Sequence, residues 1–280
     1  MNYRHSFHAG NHADVLKHAV VLRMIRLMQR KDAPLCYLDS HAGTGLYDLT
    51  GTDAGRTGEY LDGIGRLWER DDLPELLADY RDAISPYNPD GELGLYPGSP
   101  QLAAAALRAH DRLILSELHP EDAATLREHF AADDRVAVHQ RDGYELPRAF
   151  LPVAEKRALW LLDPPFEKAD DLERCVAEVQ AAVQRMRQTI IALWYPIKDE
   201  RDLRDFYRRM GDAGLPKVLR IELGVRPMDT RLGLNGSGLM LVNPPWPLWE
   251  QLEETLPWLA SALAQSGGGS WRMDWLAGGP

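Results

Sequence analysis

The fold is decided by residues 158–166, ALWLLDPPF, in which five apolar residues run directly into an Asp-Pro-Pro corner. Apolar residues at successive positions are typical of strands that are covered on both faces. We therefore predict a strand at 158–163, and similar runs predict strands at 35–39, 113–117, 136–139, 190–195, 218–225 and 239–243. Helical stretches separate the first five strands, which predicts right-handed crossovers and a parallel α/β sheet.

Only a loop fits between the strands at 218–225 and 239–243, so this pair is expected to form an antiparallel hairpin at one edge. The complete sheet is then mixed and seven-stranded, with helices on both faces. Asn11 is expected to cap a helix that runs to about Arg30. Ser99-Pro100 and His119-Pro120 each predict a cap followed by proline at the first helical position.

One interval is too long for a single crossover helix. The first and second predicted strands are separated by residues 40–112, whereas a βαβ unit needs only about 30 residues in all. Two short helical patterns fall within 46–98. We therefore predict one domain, 1–280, with an inserted helical subdomain at 46–98 over the carboxyl edge of the sheet.

Composition excludes several classes of protein. The chain has 280 residues, 45% hydrophobic and 26% charged, which is typical of globular proteins and argues against disorder. No apolar run is long enough to span a membrane, and the two cysteines are too few for a disulfide framework, so a cytoplasmic protein is expected. The net charge of −10 argues against non-specific coating of nucleic acid. Residues 1–31 and 184–231 are nevertheless basic.

Three segments at predicted strand ends carry candidate ligands for a nucleoside. Residues 38–45, LDSHAGTG, form a glycine turn, but Asp48 replaces the third glycine of the dinucleotide fingerprint, which disfavours a nicotinamide-dependent oxidoreductase. Glu117 is placed to accept hydrogen bonds from ribose hydroxyls, and Asp142, before Gly143, from an adenine amino group. A structural turn or a surface glutamate would explain each segment as well.

The corner Asp163-Pro164-Pro165-Phe166 gives the sharpest chemical signal. The Asp163 carboxylate and the Pro164 carbonyl are both acceptors, and Phe166 supplies an aromatic face. Such a set can hold both hydrogens of an exocyclic amino group while the base stacks on the ring. Residues 243–246, NPPW, match the same pattern, but they leave a strand expected to be antiparallel. Their corner should therefore face the opposite edge and serve as a structural strand exit.

Eight motifs are spread over nearly the whole chain: YRHSFHAGNHADVLKH, LDSHAGTG, RTGEYLDGI, YPGSP, SELHP, DPPF, ALWYP and SGLMLVNPPW. Together they resemble the RlmJ family, the 23S ribosomal RNA adenine-N(6) methyltransferases of bacteria. The fourth residue of the DPPF corner is Phe166, where the family often has tyrosine. The resemblance implies a Rossmann-like class I methyltransferase fold, S-adenosyl-L-methionine as cofactor and a monomer.

The resemblance also assigns roles to residues. Asp163 would be catalytic, and Tyr3 would meet the RNA substrate. The implied cofactor contacts are His18, His41, Ser99, Glu117, Asp142, Gly143 and Asp163. The residues themselves suggest Pro164 and Phe166 as partners of Asp163 at the amino group and the ring.

Three further hypotheses concern the N-terminal helix and the substrate. Arg23, Arg26 and Arg30 share one helix face, so we expect them to guide the phosphate backbone of 23S ribosomal RNA. No metal is expected from His8, His12 and His18, because methyl transfer from a sulfonium requires none. A DNA adenine-N(6) methyltransferase would use the same corner, and a non-catalytic RNA-binding ribosome-assembly factor is a further alternative.

Overall fold

The computed structural model describes residues 7–51, 57–228 and 233–279. The strands are β1 (Cys36–Asp39), β2 (Leu46–Asp48), β3 (Leu95–Pro97), β4 (Arg112–Glu117), β5 (Val136–Gln140), β6 (Ala158–Leu162), β7 (Ile190–Ile197), β8 (Val218–Gly224), β9 (Gly236–Val242) and β10 (Ser270–Ala277). The helices are α1 (His12–Met28), α2 (Gly65–Trp68), α3 (Glu75–Ile84), α4 (Ser99–Ala106), α5 (Pro120–His129), α6 (Leu146–Phe150), α7 (Asp171–Arg185), α8 (Arg204–Gly211) and α9 (Leu248–Ala262).

Eight strands form one mixed sheet in the order β10-β8-β9-β7-β6-β1-β4-β5. Five neighbouring strands, β7, β6, β1, β4 and β5 in their order across the sheet, pair in parallel. Strand β9 is antiparallel to both β7 and β8. Because these five strands run in the same direction, their carboxyl ends lie at one edge of the sheet. The predicted α/β class I methyltransferase fold is confirmed.

The prediction of seven strands is wrong by one. The eighth strand, β10, pairs antiparallel with β8, so the β8–β9 pair is not at the edge of the sheet. Residues 270–277 were missed because they follow a run of three glycines and are only partly buried, which weakens the strand pattern. A bidentate ion pair between Arg220 and Asp274, at 2.9 Å, joins the two strands across the sheet surface.

Helix α1 is buried over almost its whole length. The Asn11 side chain accepts hydrogen bonds from the amides of Ala13 and Asp14, so the predicted cap is confirmed, and the helix ends at Met28. Only Arg26 is exposed within it, since α1 packs against α3, α4 and β9. The described residues contain no helix with the length and apolarity needed to cross a membrane.

Residues 46–98 contribute to the same core as α1. Strands β2 and β3 pair antiparallel at the start and the end of this segment. Between them, Leu77 and Tyr80 of α3 are fully buried in the cluster that contains Leu16 and Met24 of α1. The segment and α1 therefore share one hydrophobic core, and the position of the segment over the carboxyl edge of the sheet stays a prediction.

Candidate active site

The carboxyl ends of β1, β4, β5 and β6 border a pocket of about 440 Å³. This volume is within the usual range for small-molecule sites. The pocket brings together every residue predicted to be catalytic or to bind the cofactor: His18, His41, Ser99, Glu117, Asp142, Gly143, Asp163, Pro164 and Phe166.

The glycine turn after β1 is tied to the end of β4. The amide of Gly43 donates to Glu117 Oε2 at 2.9 Å, and the amide of His119 donates to Glu117 Oε1 at 2.8 Å. Gly43 has a φ of +61°, and a Cβ atom there would lie 2.2 Å from Tyr47 Oη, so glycine is required. Glu117 is only 8% exposed, so the surface-glutamate alternative is wrong. Burial raises the pKa of its carboxyl group.

Asp142 follows β5 and holds the next turn in place. Its Oδ1 accepts from the amide of Tyr144 at 3.1 Å, and its Oδ2 accepts from Arg174 Nη2 at 2.7 Å. The guanidinium carbon of Arg174 also lies 3.8 Å from the centroid of the Tyr144 ring. Burial favours a higher pKa for Asp142, but the hydrogen bonds from Arg174 and the Tyr144 amide, together with the charge of Arg174, outweigh it, and the pKa is lowered.

A buried carboxyl group at the end of β1 fixes Ser99. Asp39 Oδ2 accepts from Tyr37 Oη at 2.9 Å and from Ser99 Oγ at 2.6 Å. Burial raises the pKa of Asp39 to about 6. The prediction that Ser99 caps α4 is wrong, because Gly98 occupies the cap position and the Ser99 hydroxyl is donated to Asp39.

The two predicted cofactor-binding histidines both have hydrogen-bond partners. His41 Nδ1 lies 3.0 Å from Ser40 Oγ, and burial lowers the pKa of His41 to about 4, so its ring is neutral near pH 7. His18 Nδ1 lies 2.7 Å from the buried Tyr96 hydroxyl. In the parts of the chain that the structure describes, no three His, Cys, Asp or Glu side chains are grouped to hold a metal ion.

The Asp-Pro-Pro corner after β6 meets α1 through Lys17. The Lys17 ammonium lies 2.5 Å from Asp163 Oδ2 and 2.8 Å from Asp14 Oδ1. Lys17 is 3% exposed, and burial alone would lower its pKa; the charges of Asp14 and Asp163 reverse that effect and raise it. The ammonium thus fixes the position of the Asp163 carboxylate at the pocket wall.

Two aromatic rings lie beside this corner. The Phe166 and Trp194 ring centroids are 5.8 Å apart with the planes inclined at 58°. Phe166 has a φ of +50°, an unusual backbone conformation for an aromatic residue and one that is common at ligand-binding turns. Strand β7 lies next to β6, and its residue Trp194 lines the same pocket.

The second corner, residues 243–246, lies at the opposite edge, as predicted. Strand β9 is antiparallel to β7, and Val242 is paired with Ile191 near the start of β7. The side-chain Nδ2 of Asn243 donates to the carbonyls of Arg187 and Thr189, which anchors the strand exit.

The comparisons with known proteins agree with this architecture. The family model described as ribosomal RNA large subunit methyltransferase D, RlmJ, matches residues 32–277. The chain belongs to the RlmJ family. It is 44% identical over 276 residues to ribosomal RNA large subunit methyltransferase J of Escherichia coli (strain K12) and 42% identical over 277 residues to the protein of that name from Haemophilus influenzae, covering 99% of each chain. A Legionella pneumophila crystal structure superposes with a TM-score of 0.88 at 34% identity, covering 95% of this chain and 98% of that one.

For this member of the RlmJ family, the three arginines expected to meet RNA are not among the described residues that line the pocket. Tyr3 lies outside the described residues. Arg23 is buried and donates to Glu75 and Asp79 at 2.8 and 2.9 Å, so its charge is already balanced within the protein. Arg26 lies 3.6 Å from the same aspartate, and Arg30 is exposed at the end of α1. A role for this arginine face in RNA binding stays a prediction.

Three residues of the site were missed from the sequence. The i, i+3 spacing of Asp14 and Lys17 indicates an ion pair, but nothing in the spacing shows that Asp163 shares it. Trp194 was visible within the ALWYP motif, and the adjacency of the fourth and fifth strands would have placed it beside Phe166. No sequence signal links Arg174 to Asp142, because the two residues are brought together only by the packing of α7.

Proposed function

We propose that this chain transfers the methyl group of S-adenosyl-L-methionine to the N6 amino group of one adenine in 23S ribosomal RNA. The observation that carries the proposal is the Asp163-Pro164 corner, which lines a pocket together with the rings of Phe166 and Trp194. Membership of the RlmJ family supports ribosomal RNA as the substrate class, since relatives that match over their full length are named large-subunit methyltransferases.

The donor set of the pocket fits S-adenosyl-L-methionine. Glu117 would hold the ribose hydroxyls and Asp142 the adenine amino group, because a carboxylate can accept two hydrogen bonds per oxygen and neither group is fully used by the protein. The Gly43 turn, where a side chain would collide with Tyr47, lets the backbone approach the ligand. When bound, the cofactor supplies an electrophilic methyl group on a sulfonium.

The protein residues act on the attacking amine. The Asp163 carboxylate and the Pro164 carbonyl would each accept one hydrogen of the exocyclic NH2 group, which favours a tetrahedral nitrogen and directs its lone pair at the methyl carbon. Phe166 and Trp194 would hold the base plane. In such an in-line displacement, most of the acceleration comes from holding the attacking nitrogen in line with the methyl carbon, at about 3 Å from it.

Deprotonation need not precede the transfer. After the new N–C bond forms, the methylated nitrogen carries a positive charge, and its proton can leave to Asp163 or to water. The buried Lys17 ammonium contacts the Asp163 carboxylate and holds it in position for the incoming amine. An adenine stacked in a helix cannot reach such a pocket, so the target nucleotide must be flipped out.

The proposal is tested with large-subunit RNA transcribed in vitro and a DNA of the same sequence. We expect methyl incorporation into the RNA at adenine N6 and little into the DNA. Preferential methylation of the DNA would favour the DNA methyltransferase alternative. RNA binding with no methyl incorporation into either nucleic acid would favour a non-catalytic assembly factor.

A further inference from the structure

The pocket that would receive the adenine is rich in acidic side chains. Among the described residues that line it, the carboxylates are Asp14, Glu117, Asp122, Asp142, Asp163, Glu167 and Asp171. An RNA backbone that approaches this surface brings further negative charge. Binding therefore requires uncompensated cations at the pocket, because repulsion between like charges would otherwise oppose it.

Two of the four lysine and arginine side chains that line the described part of the pocket are already neutralised. Lys17 is bound by Asp14 and Asp163, and Arg174 is bound by Asp142. Both cations are thus paired with carboxylates of the site itself. They leave no net positive charge with which to attract a phosphate.

The other two, Lys168 and Lys198, are free to bind a ligand. Both are exposed, and in the described ranges neither ammonium has a carboxylate within 4.0 Å. Their backbones are nevertheless held by buried side chains. The Lys168 amide donates to Asp171 Oδ2 at 2.9 Å, and the Lys198 carbonyl accepts from Asn235 Nδ2 at 2.6 Å.

Both lysines lie close in the chain to the aromatic residues that would hold the base. Lys168 follows Phe166 by two residues, and Lys198 directly follows β7, the strand that carries Trp194. The two rings belong to adjacent parallel strands and lie 5.8 Å apart. One lysine therefore stands on the β6 side of the aromatic pair and the other on the β7 side.

We propose that Lys168 and Lys198 form a phosphate-binding subsite that holds the RNA backbone on the two sides of the flipped adenine. The inference rests on the proposed function, because it takes the surface formed by the adjoining rings of Phe166 and Trp194 as the platform on which the base stacks. It assigns the phosphate contacts to the pocket mouth, whereas the sequence had pointed to Arg23, Arg26 and Arg30. Arg23 is ion-paired with two carboxylates, those of Glu75 and Asp79.

The test replaces both lysines with glutamine and measures binding of in vitro transcribed large-subunit RNA over a range of salt concentrations. Each lost phosphate contact should reduce the slope of log K against log salt by about 0.7 to 0.9, so the double variant should lose about 1.5 in slope. In methyl-transfer assays KM should rise about tenfold at moderate salt while kcat stays within about twofold.

Two control variants separate a phosphate contact from a general effect. Lys156→Gln removes the same charge from an exposed position before β6, at the opposite edge of the sheet, and should leave the slope and KM unchanged. The pair Lys168→Arg and Lys198→Arg keeps both charges and should retain the wild-type slope. Loss of slope in this conservative pair would indicate a structural role and overturn the subsite.

The outcomes distinguish the two proposals. If the wild-type protein methylates adenine N6 and the double glutamine variant keeps the wild-type slope and KM, the subsite is wrong and the proposed function stands. If the wild-type protein does not methylate large-subunit RNA, the proposed function fails and the subsite fails with it.

Discussion

The Lys17 ammonium of α1 is in contact with two carboxylates, those of Asp14 and Asp163. Asp163 lies in the corner after β6, 146 positions beyond Lys17 in the sequence. Two anions and one cation are nearly excluded from water here, with side-chain exposures of 4% for Lys17, 2% for Asp14 and 16% for Asp163. Removing one member of such a group leaves an uncompensated buried charge. The N-terminal helix thereby sets both the stability and the geometry of the candidate catalytic corner.

A double-mutant cycle tests this coupling. Lys17→Met should lower the free energy of unfolding by about 3 to 5 kcal/mol, because two buried carboxylates lose their counter-ion. Adding Asp14→Asn should recover a part of that loss, giving a coupling energy of at least about 1 kcal/mol in urea denaturation. Additive effects of the two substitutions would contradict the proposed group.

The two Pro-Pro-aromatic corners provide a matched pair of substitutions. Phe166→Leu keeps an apolar side chain but removes the stacking face, so kcat/KM for RNA should fall about 10- to 100-fold, from a stacking energy of about 1 to 3 kcal/mol. Trp246→Leu changes the corresponding residue at the opposite edge, where the side chain is 66% exposed, and should leave kcat/KM unchanged. Equal losses in both variants would mean that Phe166 has no special contact with the base.

Cofactor affinity tests the role of Glu117. Glu117→Gln removes the charge that strengthens hydrogen bonds to ribose hydroxyls, and loss of about 1.5 to 3 kcal/mol corresponds to a Kd about 10- to 100-fold higher. Isothermal titration calorimetry with S-adenosyl-L-homocysteine measures the change. Glu128→Gln, on the exposed side of α5, is the control and should bind as the wild type does. Unchanged affinity in Glu117→Gln would contradict the proposal that Glu117 binds the ribose hydroxyls.

Stability should depend on pH through His12. Burial lowers the pKa of His12 from 6.5 to about 4, so the unfolded chain takes up this proton at a higher pH than the folded protein does. The contribution of His12 to stability is therefore fully present well above pH 6.5 and is lost as the pH falls towards 4, by about 1.6 kcal/mol between pH 6.5 and 5. His12→Gln should remove this part of the pH dependence of urea denaturation and leave the part due to His41, whose pKa burial also lowers to about 4.

The control for that measurement is His110→Gln, since the His110 side chain is 46% exposed. It should keep the wild-type pH dependence. If His12→Gln and the wild type lose stability in parallel between pH 6.5 and 5, the buried neutral histidine is not the cause.

The central sheet could be predicted because its strands are covered on both faces. Runs such as 158–162 therefore carry an unbroken apolar signal. Strand β10 could not, since it lies at an edge and alternates large apolar with charged residues after three glycines. Gly238 also obscured the first residues of β9, which was predicted only from 239, because the sequence does not show that a Cβ atom there would lie 2.3 Å from the Tyr195 ring.

The candidate site was predictable to the extent that its residues follow strands. Glu117, Asp142 and Asp163 each end or follow a parallel strand, and the topology alone brings such positions to one edge. Lys17 and Arg174 project from helices, so their contacts depend on packing that no spacing reveals. Arg23 shows the converse case, because a shared helix face suggested an exposed cation and packing against α3 buried it.

The account is tested most directly by nucleoside mass spectrometry of in vitro transcribed 23S ribosomal RNA after incubation with S-adenosyl-L-methionine and the purified protein. We expect N6-methyladenosine at up to one residue per RNA with the wild type, and none with an Asp163→Ala variant that shows a folded circular dichroism spectrum. A methyl group on any other atom, or near-normal turnover by Asp163→Ala, would contradict the central role of this carboxylate.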